Sequence, residues 1–138
     1  MNKRLLIALI LLGVFVIFIL PGCTMSPNEL MPERCTLPSG IACLDFTADS
    51  NQLQLRIQNS LGYSISIDSM KLIADNNEYV CVSEGSQEWE IANGQASDIQ
   101  CMGSFKKGAL DGQLDIRYTN LISQHSHQGQ GVVYVKID

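Results

Sequence analysis

"QLQLRIQNSLGYSISID", residues Gln52–Asp68, is the stretch that decides the fold class. Apolar side chains occupy every second position of Gln52–Gln58 and again of Tyr63–Asp68. Successive side chains of a β-strand point to opposite faces, so a period of two predicts two half-buried strands with one face toward a core. The intervening Leu61-Gly62 predicts the turn that joins them.

The same alternation recurs further along the chain, in Leu114–Thr119 and, with more continuous burial, in Val132–Ile137. Shorter apolar runs predict further strands at Cys43–Thr47, Met70–Ala74, Glu78–Val82, Glu88–Ile91 and Asp98–Met102. Dipeptides that tolerate positive φ lie between them, namely Asn76-Asn77, Asn93-Gly94, Lys107-Gly108 and Asp111-Gly112. No segment after residue 34 has helical periodicity. The sequence therefore predicts an all-β domain, an immunoglobulin-like β-sandwich of seven or eight strands.

A hydrophobic segment precedes this domain. Lys3 and Arg4 are followed by Leu5–Leu20, which has no charged or hydrogen-bonding side chain, the arrangement of a signal sequence. A helix of this length spans about 24 Å, somewhat less than the ~30 Å of a bilayer core, so a cleaved signal and a retained anchor helix both stay open. The two cations favour a cytoplasmic N-terminus if the segment is uncleaved. In either case the domain is expected outside the cytoplasm, anchored to the cell membrane.

The chain contains five cysteines, an odd number. Cys23 is the candidate for lipidation, because Leu20-Pro21-Gly22-Cys23 resembles a lipobox, in which a small residue precedes a cysteine that becomes a lipid-modified N-terminus. Two or more acyl chains would anchor the protein stably. The alternatives for Cys23 are a place beside an uncleaved anchor helix or a free structural cysteine.

The other four cysteines form an even set, Cys35, Cys43, Cys81 and Cys101. Outside the cytoplasm such residues usually pair, and four allow three connectivities. We favour Cys35–Cys43, which spans the turn residues Pro38-Ser39-Gly40, together with Cys81–Cys101, which closes a loop of about twenty residues.

Three segments follow from these patterns. Residues 1–23 are a signal peptide or membrane-anchor helix, residues 24–34 are a tether with two prolines and no periodic apolar face, and residues 35–138 are the β-sandwich domain. Residues 24–138 carry fourteen acidic and seven basic side chains, a net charge of −7. Since phosphate backbones are bound by clustered Lys and Arg, nucleic acid is not predicted as a partner.

His125-Ser126-His127 is the motif closest to a metal site. In an extended strand, both imidazoles would lie on one face, as some metal sites require. No third ligand lies nearby in the sequence, and residues 123–131 are interpreted as a polar loop between the last two strands. His125 and His127 are therefore weak candidates, and neither a metal site nor a cofactor is predicted.

Catalytic motifs are missing from the sequence as well. No G-x-S-x-G occurs, and no serine or cysteine stands out beside a base that a third group would orient. The glycine-rich pattern of phosphate-binding loops is also lacking. The chain is therefore not predicted to be an enzyme.

Three stretches together resemble the β domain of small archaeal type IV pilin-like surface proteins: "PERCTLPSGIACLDF" (Pro32–Phe46), "LQLRIQNSLGYSISI" (Leu53–Ile67) and "FKKGALDGQLDIRYTN" (Phe105–Asn120). The resemblance covers about residues 32–137 and implies an immunoglobulin-like or pilin-type domain displayed on a hydrophobic stem, with an early and a late cysteine pair. The N-terminus departs from the pilin signal, because Lys3-Arg4 runs directly into Leu5 and no glutamate precedes Cys23.

These observations favour a non-catalytic, membrane-tethered surface protein with a structural or adhesive role, which contacts envelope proteins. One alternative is a pilin-like filament subunit, whose partners would be other filament proteins. A second alternative is a ligand- or metal-binding lipoprotein.

Overall fold

A computed structural model describes residues 31–83 and 89–138. Every regular element in these ranges is a β-strand, so the predicted all-β class is confirmed. The predicted N-terminal helix with Cys23, most of the predicted tether, and Glu88 lie outside the described residues. Pro32–Asp138 forms one compact unit.

The described residues contain nine strands, compared with the seven or eight predicted. In chain order they are β1 Arg34–Thr36, β2 Ile41–Ala48, β3 Gln52–Asn59, β4 Ile65–Ala74, β5 Asn77–Ser83, β6 Glu90–Ile91, β7 Ala96–Met102, β8 Gly108–Asn120 and β9 Ser126–Ile137. Strand β1 was not predicted, and it includes Arg34, which the sequence analysis assigned to the tether. Three residues carry no periodic signal, and β1 forms by pairing with Val132–Tyr134 of β9.

The strands make a nearly closed, barrel-like sheet in which all neighbours are antiparallel. Its order is β1-β9-β8-β4-β5-β7-β3-β2, and β6 pairs with β4. Strand β5 connects the two halves of the sheet, since Asn77–Val80 pairs with β4 while Cys81–Ser83 pairs with β7. The two end strands, β1 and β2, come together and are joined by a disulfide.

The interior is filled by side chains at alternate positions of the strands. Leu53 and Ile57 of β3 and Leu114 and Ile116 of β8 are fully buried. On both strands the positions of opposite parity are less buried and face outward, as the period of two requires. Burial of the inner face is the main force that holds the sheet closed.

The predicted strands Tyr63–Asp68 and Met70–Ala74 are one continuous strand, β4. Its register against β8 shifts between Ile67 and Ser69, which marks a β-bulge. The extra residue moves the inward-facing positions from odd to even residue numbers. The change of phase in the apolar alternation, which separates the two predicted strands, is therefore a β-bulge within one strand.

The turn predicted at Asp111-Gly112 is wrong, because both residues lie inside β8 and pair with β9. Gly112 is needed for close packing. A β-carbon there would lie 2.6 Å from Leu72 Cδ1 and 3.2 Å from the Ile73 carbonyl oxygen. In contrast, the turn predicted at Asn76-Asn77 is confirmed by the positive φ of Asp75 and Asn76.

The polar loop predicted for residues 123–131 is also wrong. Strand β9 begins at Ser126, and the chain reverses just before it, where the Asn120 amide donates to the His125 carbonyl. The first half of β9 was missed because its inward positions include Gly129 and Gly131, so the sequence lacks apolar alternation there.

Candidate interaction surface

The cysteine pairs of the structure are Cys35–Cys43 and Cys81–Cys101, the pairing favoured from the sequence. Cys81 and Cys101 are direct cross-strand partners on β5 and β7, with Cα atoms 4.0 Å apart. Both are buried, so the residues next to them in sequence face outward.

The Cys35–Cys43 disulfide closes the junction of β1 and β2, which we call the seam. The residues that connect the two cysteines pass over β9, where a β-carbon at Gly129 would collide with Pro38 and one at Gly131 with the Thr36 carbonyl oxygen. These two glycines thus leave the space into which the seam segment packs. Glu33, which precedes β1, also contacts β9: its carboxylate accepts a hydrogen bond of 2.8 Å from the Lys136 backbone amide.

His125 and His127 have different partners. The His125 ring nitrogen Nδ1 lies 2.9 Å from the Ser123 carbonyl oxygen within the turn. The His127 ring stacks on Tyr118, with ring centroids 5.2 Å apart. Within residues 31–83 and 89–138, no group of three or more His, Cys, Asp or Glu side chains could hold a metal ion.

The environment of Tyr118 changes the acidity of its phenol. Burial raises the pKa of its phenol above the ordinary 10.0, and the neighbouring Tyr63 raises this pKa further. The phenol therefore stays neutral at physiological pH, and its ring serves as an apolar platform for His127.

The outer face of β2, β3, β7 and β5 carries a group of uncharged side chains. Across these four strands, Thr47 faces Gln54, Gln54 faces Gln100, and Gln100 faces Val82. One step along, Gln52 faces Met102, and Val80 lies beside Met102 because the two flank the Cys81–Cys101 pair. We call this group the glutamine face; it comprises Thr47, Gln52, Gln54, Val80, Val82, Gln100 and Met102.

The apolar members of the glutamine face are strongly exposed. The exposed fractions are 65% for Val80, 56% for Met102 and 48% for Val82. Single exposed apolar residues are common, but three neighbours on a flat sheet indicate a contact surface.

Charged residues border the glutamine face on two sides. On one side, Arg56 lies between Asp45 and Asp98 in the register and forms an exposed ion pair of 3.7 Å with Asp98. On another side, Lys71 faces Val80 and pairs with Glu78 at 3.1 Å. The face is therefore an uncharged area bordered by ion pairs of both signs.

Two depressions close to these strands are small. The cavity at the Arg56–Asp98 pair is about 130 Å³, and the one lined by Thr47, Gln52 and Gln54 of the glutamine face itself is about 220 Å³. Small-molecule pockets measure roughly 300–1,000 Å³. A flat face of this kind fits a macromolecular contact better than a small ligand.

The glutamine face was not predicted as a unit, although the exposed glutamines alternate visibly in the sequence. The positions of the cysteines in β5 and β7 could have predicted its apolar part from the sequence. If Cys81 and Cys101 must point inward to pair, then Val80, Val82 and Met102 must point outward.

No model of a known protein family matches this chain, and no curated protein matches it significantly. In the part of the chain that the structure describes, no helix is long and apolar enough to cross a membrane.

Proposed function

We propose that this chain is a non-catalytic surface protein, tethered outside the cytoplasm through its N-terminal segment, with a structural or adhesive role. The glutamine face carries the proposal, because three exposed apolar side chains on a rigid sheet are suited to a contact with another macromolecule. The two disulfides support an oxidising compartment.

The tether itself is argued from sequence. Lys3 and Arg4 followed by Leu5–Leu20 fit a signal or an anchor, and Cys23 fits a lipid attachment site. For the domain we propose an immunoglobulin-like or pilin-type arrangement, supported by the all-antiparallel strands and by β5, which pairs with both halves of the sheet.

Mass measurement on the native protein tests the proposal. The protein is extracted from membranes in mild detergent, and its intact mass is recorded with and without reduction. A mass that begins at Cys23 with added lipid, or one that retains Leu5–Leu20, supports the tether, and a gain of the mass of four hydrogen atoms on reduction reports both disulfides. Recovery from the cytosol with free Cys35, Cys43, Cys81 and Cys101 would overturn the proposal.

A filament subunit is the alternative that the pilin-like stretches favour. The protein would then be found in surface filaments sheared from cells, cleaved after Arg4. If sheared filaments lack the protein while the membrane fraction contains it, the alternative fails and the tethered surface protein stands.

A further inference from the structure

We propose that the glutamine face is a self-association surface, which packs against the same face of a second copy of this chain. The inference goes beyond the proposed function, because it names the partner and the residues that touch it.

The side chains of this face are suited to a two-fold contact. In such a contact each patch meets its own copy, so its groups must be able to pair with themselves. A glutamine amide both donates and accepts hydrogen bonds, whereas two carboxylates or two ammonium groups repel each other. Three of the seven residues of the face are glutamines, Gln52, Gln54 and Gln100.

These amides have bonding capacity left over. Gln100 donates through Nε2 to Oε1 of Gln52, and among the described residues the Gln100 side-chain oxygen and the Gln52 amide nitrogen have no partner. Within the described ranges, the Gln54 side chain makes no hydrogen bond and is exposed. A second copy could therefore satisfy amide groups that have no partner among residues 31–83 and 89–138.

The apolar residues supply the contact that excludes water. Val80 and Val82 lie on β5, and Met102 lies beside them on β7. They form one side of the face, next to the glutamines. Burying them against a second sheet would remove apolar area from water in both copies.

The charges of the domain favour a second copy of this chain over a cationic protein as the partner of the glutamine face. Pro32–Asp138 contains thirteen acidic and seven basic residues, so two copies carry net charges of the same sign and repel each other. The glutamine face has no charged member, and it is therefore a place where two copies approach at low electrostatic cost. A cationic partner would find no opposite charge on this face itself.

The size of the face predicts a weak contact. Two rows of residues across four strands cover on the order of 250 Å² at normal strand spacing. Stable interfaces bury about 800 Å² per partner. The paired state should thus form mainly where copies are concentrated, as on a membrane, and that step alone rests on the proposed tether.

Photo-crosslinking of the full chain in the cells that make it tests the contact. A benzoylphenylalanine replaces Thr47, at the edge of the glutamine face, or Gln128, which is exposed on β9 away from this face. We expect a covalent dimer of this chain from position 47, with links that mass spectrometry maps to β3, β5 or β7. The yield from position 128 should be several-fold lower.

A matched pair of charge variants supplies the control. Val82→Glu places like charges across the two-fold contact and should reduce the position-47 dimer several-fold, whereas Val132→Glu, the same substitution at a similarly exposed site of β9, should not. Equal reduction by both variants, an equal yield from both probe positions, or links only to another protein would overturn the proposal. Fractionation of the same cells tests the membrane tether separately. A crosslinked dimer in the soluble fraction would refute the tether and would still support the self-association contact.

Discussion

The ring of Pro38 occupies the space in which a side chain at Gly129 would lie. An ideal β-carbon on Gly129 would be 2.7 Å from Pro38 Cβ and closer still to Cγ. The two residues bring the segment between Cys35 and Cys43 against β9, next to the junction of β1 and β2.

Replacing this glycine should destabilise the fold. Gly129→Ala forces Pro38 away from β9 and should lower the free energy of unfolding by about 1–3 kcal/mol. Urea unfolding followed by circular dichroism measures the change. In a Pro38→Gly background the clash is relieved, so the same substitution should cost much less; equal costs in the two backgrounds would contradict this account of the seam.

Loss of the seam disulfide should open the sheet locally. The variant Cys35→Ser/Cys43→Ser loses a cross-link over eight positions and should be less stable by about 2–3 kcal/mol in the chain-entropy account. Hydrogen exchange should accelerate first at β1 and at the β9 residues that pair with it, Val132–Tyr134. Faster exchange confined to β5 and β7 would show that the seam is not where closure is maintained.

Asn59 is a buried polar residue that joins three segments. Its amide donates to the carbonyls of Tyr63 and Ile91 at 2.7 and 2.8 Å, and its oxygen accepts from the Leu61 amide at 3.0 Å. Asn59→Ala leaves these backbone groups without partners and should cost about 2–4 kcal/mol of stability.

Ser60→Ala is the matched control for this substitution. Ser60 is adjacent and exposed, so its hydroxyl is available to water, and the change should have little effect on thermal unfolding. If both variants unfold at the same temperature as the parent protein, the hydrogen bonds of Asn59 do not hold the turn to β6.

The raised pKa of Tyr118 predicts a loss of stability in alkali. The folded state keeps the phenol proton to higher pH than the unfolded state, so the contribution is fully present below about pH 10 and is lost as the pH rises through the raised pKa. Tyr118→Phe should flatten this alkaline decline in denaturant titrations. A decline that keeps its slope in the variant would assign the pH dependence to other groups.

The sequence predicts this fold where the two faces of a strand differ in polarity. Strand β3 is such a case, because Leu53, Leu55 and Ile57 alternate with polar residues, and its predicted bounds differ from the observed ones by a single residue. The cysteine pairing was also accessible, since parity and spacing leave few possibilities.

Features that depend on tertiary packing were missed. Gly129 and Gly131 occupy inward positions that the seam segment fills from elsewhere in the chain, so β9 lacks its apolar pattern. Asp111-Gly112 has the composition of a turn, yet Gly112 is a site of close strand packing. Prediction of the glutamine face would have required the cross-strand register. This register places Gln54 beside Gln100, 46 positions away in the sequence, and no local pattern encodes it.

Labelling of intact cells tests the central claim most directly. Lys106 and Lys107 are exposed in the segment before β8, and they should react with a membrane-impermeant amine reagent before lysis, on protein that then sediments with membranes. Peptide mass spectrometry reports the label at these two positions. Labelling that occurs only after the cells are broken would place the domain inside the cell and contradict a surface role.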